Sequence, residues 1–159
     1  MPAQAVSEAT RAIEAARTEA SCNMPNGIGV VKLMGRSAGF LAAYATLASQ
    51  DVDLCLVPEV PIVLDGPSGL LPHLERVVDQ KGHAVVVVAE GAGEEVLGAS
   101  AEVDAGGNRK LPPIGTWLKD RITAHFKSLD REATIKYPAG VRSLSIAAIR
   151  SPFGLFLHR

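Results

Sequence analysis

Three short motifs have residue types that could do chemistry: Met34-Gly35-Arg36, Pro58-Glu59-Val60 and Ala89-Glu90-Gly91. Each follows an apolar stretch that reads as a strand, at the edge of an open α/β sheet where ligands bind. Gly35 permits close approach of backbone to a ligand, and Arg36 offers a planar fork of donors matched to phosphate oxygens. Spacing alone equally admits a structural turn with a surface arginine. Glu59 and Glu90 can accept hydrogen bonds from sugar hydroxyls, or cap the helix that follows through its dipole. All three motifs could face one cleft.

Other chemistries have weaker support. Gly91-Ala92-Gly93 after a Val-rich strand resembles a phosphate-binding loop, yet Val96 stands where a dinucleotide fingerprint needs a small residue. No acidic residue follows at the end of a clear next strand. His73, His83, His125 and His158 lack ligand spacing, and Cys22 and Cys55 form no CxxC pair, so neither a metal site nor a disulfide is expected. Ser37, Ser49 and Ser68 lack the GxSxG elbow of a hydrolase. Trp117 reads as a packing residue.

The elements that must position these motifs alternate. Ala5, Ala9, Ile13 and Ala16 share one face of a helix over Ala5 to Ser21. After the Pro25-Asn26-Gly27 turn, Ile28 to Met34 reads as a strand and Ala38 to Ser49 as a helix. The rhythm returns as Val52 to Val57 before Pro67 to Gln80, then as Ala84 to Ala89 before Glu94 to Ala99. Strands apolar on both faces, such as Ala84 to Ala89, require helices on two sides of a parallel sheet. The fold class is therefore α/β, a mostly parallel sheet covered by helices on both faces. Glu102 to Pro113 is a polar loop, Ile114 to Leu129 a helix, and Ala133 to Tyr137 a further short strand.

With 159 residues, 47% of them hydrophobic and 21% charged, the chain suits one soluble domain. A net charge of −1 offers no field for nucleic acid or an anionic membrane. Ala84 to Ala89 is far short of the roughly 20 apolar residues that span a bilayer, and no signal-peptide pattern opens the chain. The expectation is a soluble, non-secreted protein with no nucleic-acid or membrane partner.

The run from Asn26 to Phe40, containing Val31-Lys32-Leu33-Met34-Gly35-Arg36, resembles the plant and algal ATP-dependent 6-phosphofructokinases. The likeness continues through Val52 to Pro61, Leu64-Asp65-Gly66-Pro67 and Val88 to Gly93, and covers roughly Glu8 to Tyr137. It implies a phosphofructokinase-like fold and transfer of the γ-phosphoryl group of ATP, with Mg²⁺, to the 1-hydroxyl of fructose 6-phosphate. It further implies that Met34, Gly35, Arg36 and Glu90 bind the sugar phosphate and that Arg36 stabilises the phosphoryl group in flight. Glu59 is treated as structural. Full-length phosphofructokinase subunits, in a homo-oligomer, are the implied protein partner. The location is cytoplasmic, with the plastid as the alternative.

Departures from the pattern carry their own expectations. The family's Gly-rich ATP loop, its Gly-Gly-Asp-Gly segment and its Thr-x-Asp-x-Asp segment have no counterpart in this sequence. No residue is therefore assigned to Mg-ATP, and the chain alone is expected to lack kinase activity. Residues 1–137 form a partial sugar-phosphate-binding domain. Over 138–159 the family's Asp-Pro-x-Tyr-Met-Ile-Arg is replaced and no acidic residue occurs. That suggests a reading-frame change, a retained intron or a gene-model error, an idea that fails if no other frame of the coding DNA restores the motif.

Overall fold

The computed structural model describes residues 2–33, 39–98, 107 and 111–137. In chain order the elements are α1 (Pro2–Cys22), β1 (Gly27–Leu33), α2 (Phe40–Ser49), β2 (Leu54–Leu56) and α3 (Leu70–Lys81). Then come β3 (His83–Ala89), α4 (Glu94–Leu97), α5 (Ile114–Ser128) and β4 (Thr134–Lys136).

The four strands form one sheet in the order β2-β3-β1-β4, with every pairing parallel. β1 and β3 pair along their full length, from Gly27 opposite His83 to Leu33 opposite Ala89. All carboxyl ends therefore lie along one edge. Alternate residues of the two central strands are buried on opposite faces, as continuous apolar strands demand. Ile28, Val30, Ala84, Val86 and Val88 pack with α3 and α5, whereas Val31, Leu33, Val85, Val87 and Ala89 pack with α1 and α2. The expected helix-covered parallel sheet is the observed one.

Helix α1 buries Ala9, Ile13, Ala16 and Ala20, three small side chains and one large one at spacings of three and four. Small residues on the helix meet glycines on the strand: a Cβ at Gly29 would lie 2.8 Å from the Ala16 carbonyl oxygen. On the other face, α5 buries Ile114, Leu118, Ile122 and Phe126 against Leu70, Leu71, Leu74 and Val78 of α3. Trp117 is half-buried against the same core, a packing residue as expected.

Boundaries shift where local turns compete with periodicity. The helix expected from Pro67 starts at Leu70, because Gly69 is extended (φ −72°, ψ 158°) and donates its N–H to the Gly66 carbonyl at 2.9 Å. α4 stops at Leu97, where left-handed Gly98 (φ 75°) closes the turn onto Glu94. β2 is ordered as strand only over Leu54–Leu56, being an edge with a single neighbour. Most of the expected 102–113 loop and all of 138–159 lie outside the described residues.

Candidate functional site

The connections leaving β1 and β3 part company. α2, after β1, packs on one face of the sheet, and α5, after β3, packs on the other. Neighbouring parallel strands whose following helices take opposite faces open a crevice between their carboxyl ends, the usual ligand position in an open α/β sheet. The residues at this switch point are those that end β1 and β3.

Glu90 stands directly after β3. Its backbone N–H donates to the Leu33 carbonyl at 2.8 Å, which carries the β1–β3 ladder one step past Ala89 and fixes the Glu90 backbone at the crevice. Its side chain meets Lys32 of β1, with Nζ 3.5 Å from Oε1 and the two side chains 27% and 20% exposed. At that distance the contact is mainly Coulombic rather than a strong hydrogen bond. A half-buried pair gains from weaker solvent screening, and desolvation offsets much of the gain.

The glycines after Glu90 have a structural explanation. Gly91 and Gly93 adopt left-handed φ of 94° and 77°, and a Cβ at Gly93 would lie 2.8 Å from the Cδ1 of Ile114. The turn is sharp because the chain must reverse against the start of α5. Across the sheet, the Tyr137 ring after β4 packs over Gly115, holding the same end of α5.

The Glu59 carboxylate does cap a helix, but it is α2, which precedes it in the chain, and not α3, the following helix that the sequence pointed to. Glu59 Oε1 accepts the Gly39 N–H at 2.7 Å at the amino end of α2, where a negative charge complements the helix dipole. A Cβ on Gly39 would meet Glu59 Oε2 at 2.6 Å, so glycine makes room for this cap. Met34, Gly35 and Arg36 lie outside the described residues. On either side of them, Leu33 is bound to Glu90 and Gly39 to Glu59. Lys32 is the functional candidate that motif reading passed over. Its signal was a lone charge in a strand otherwise apolar or glycine. Among the described residues no group of three or more His, Cys, Asp or Glu could hold a metal ion.

A model of the family described as Phosphofructokinase matches residues 3–138. The chain belongs to the phosphofructokinase family. It is 51% identical over 136 residues to ATP-dependent 6-phosphofructokinase 7 of Arabidopsis thaliana, a match covering 84% of this chain and 28% of that one. Over 163 residues it is 46% identical to the ATP-dependent 6-phosphofructokinase of Amycolatopsis methanolica, covering 96% of this chain and 35% of the relative. The chain thus spans about a third or less of the length of these relatives. The pyrophosphate-dependent phosphofructokinase of Nitrosospira multiformis superposes with a TM-score of 0.53 at 22% identity, covering 83% of this chain and 30% of that structure. At that identity the likeness speaks for the phosphofructokinase fold alone. The resemblance carried by Asn26 to Phe40, Val52 to Pro61, Leu64 to Pro67 and Val88 to Gly93 is thereby confirmed at the level of family, including its plant relatives.

Proposed function

We propose that this chain supplies part of the fructose 6-phosphate half-site of an ATP-dependent 6-phosphofructokinase. The observation that carries the reading is the position of Glu90 at the β1–β3 switch point, one residue past the strand end and tied to Leu33. A carboxylate there accepts hydrogen bonds from sugar hydroxyls, and charge-assisted bonds of this kind are stronger than neutral ones. Met34 and Gly35 would complete the sugar-phosphate contact. Arg36 would stabilise charge on the transferring group, since phosphoryl transfer rests mainly on positioning and electrostatics. Mg-ATP belongs to the complete enzyme in this reading, and the chain by itself is expected to bind sugar phosphate without turning it over.

Titration of the chain with fructose 6-phosphate, followed by calorimetry and NMR, tests this. Expected is saturable binding with Kd on the order of millimolar, weakened roughly tenfold or more by Arg36→Ala and by Glu90→Ala. A folded chain that shows no binding at several millimolar ligand overturns the reading.

The reading includes a protein partner, a full-length phosphofructokinase subunit. It is favoured by the outer face of α2, where Phe40, Tyr44 and Leu47, at i, i+4 and i+7, are 56%, 62% and 72% exposed. Co-elution of the chain with a full-length relative in gel filtration, lost in Tyr44→Glu, is the expected result; separate elution of the wild-type chain rejects the partner. The cytoplasm is the proposed location, with the plastid as alternative because two Arabidopsis relatives at 47% identity are named chloroplastic. Among the described residues no helix is long and apolar enough to cross a membrane.

A further inference from the structure

We propose that Lys32 is a positioning residue for the sugar, holding the Glu90 carboxylate in the crevice between β1 and β3 so that it can accept substrate hydroxyls. The inference rests on the sugar-phosphate reading of Glu90.

On the face of β1 covered by α3 and α5, successive positions are Ile28, Val30 and Lys32. Ile28 and Val30 are fully buried, and Lys32 follows them on that face at the strand's carboxyl end with its side chain 27% exposed, the position in which a lysine stem packs along apolar neighbours and its ammonium seeks a polar partner. An ammonium there loses hydration and must face an anion, and Glu90 is that anion at 3.5 Å. The Glu90 backbone is already fixed by its bond to Leu33, which leaves the side-chain torsions as its freedom. Lys32 restrains them. A carboxylate has about four acceptor positions, so contact with an ammonium at Oε1 does not exhaust its capacity for hydroxyl donors.

Charge gives a second reason for the pairing. A sugar phosphate brings negative charge into the crevice, where an unbalanced Glu90 would repel it. Paired with Lys32, Glu90 keeps its acceptors while the pair itself carries no net charge. Lys32 thus acts through Glu90 and does not itself touch the ligand.

The test is a double-mutant cycle on the 159-residue chain, reading fructose 6-phosphate affinity by calorimetry and folding by NMR spectrum and thermal midpoint. Lys32→Met is expected to weaken binding about tenfold, Glu90→Gln by a similar factor, and the double variant no further than Glu90→Gln alone. Lys32→Arg should stay within about threefold of wild type, because it keeps the charge. Should Lys32→Met fail to fold, Lys32→Gln replaces it in the same cycle. Unchanged affinity with a lowered thermal midpoint would mean a merely structural ion pair and overturn the inference while leaving Glu90 as a sugar ligand. Independent, additive losses would mean that Lys32 contacts the ligand itself, which overturns the positioning role. A folded wild-type chain that binds no sugar phosphate removes the parent reading and this inference together, an outcome distinct from both.

Discussion

The Asp53 carboxylate, with a side chain 7% exposed, accepts the Val85 N–H at 2.9 Å and also meets the Lys81 ammonium. It lies where β2 and β3 begin, at the edge opposite Glu90. Val85 is fully buried, so Asp53→Ala would strand its N–H without a partner. The expected loss is about 1–3 kcal/mol in urea unfolding, with fructose 6-phosphate affinity unchanged. Equal loss of affinity would contradict the separation of a structural amino edge from a binding carboxyl edge. Sequence alone could not sort the acidic residues this way. Glu59 and Glu90 both follow apolar runs, and only the fold assigns one to the amino end of α2 and the other to a crevice with Lys32. Lys32 escaped because its partner is 58 residues away, beyond any local pattern. The roles of Met34, Gly35 and Arg36 still rest on their motif rather than on geometry.

Among the elements, those whose apolar pattern exceeds local competition were readable. β3 has six successive apolar residues, and α5 repeats an apolar residue every fourth position from Ile114 to Phe126. Both lie close to where periodicity puts them, since burial on two faces or along one stripe is the dominant favourable term. The errors fall at turns. The Pro67-Ser68-Gly69 run looks like a helix start, yet the Gly69–Gly66 hydrogen bond keeps it a turn. The parallel pairing was implied by strand composition, whereas its register and the order β2-β3-β1-β4 were not, because pairing across the sheet depends on contacts far apart in sequence. That order matters to function, because it makes β1 and β3 neighbours with diverging connections and so creates the crevice.

At the scale of the whole molecule, the sheet should not be equally resistant to opening. β1 and β3 each have a strand on both sides and helices on both faces, and Val30, Val31 and Val85 to Val88 are at most 2% exposed. β2 and β4 are three-residue edges, and every residue of both is half-buried or exposed. The amino edge has additional ties: Arg131 binds Asp79 and Asn26, each at 2.8 Å, and lies over the Phe126 ring at 5.3 Å. Native-state hydrogen exchange should therefore find the slowest amides in the middle of β1 and β3, with the hydrogen-bonded amides of β2, β4 and α4 exchanging roughly tenfold or more faster through local opening. Uniform protection across all four strands would instead mean that the edges open only with global unfolding. Saturating fructose 6-phosphate should slow exchange most at Glu90, whose N–H closes the crevice onto Leu33. A ligand that protected the Asp53 edge instead would put the binding site at the wrong end of the sheet, and with it the reading of Glu90 and Lys32 would fall.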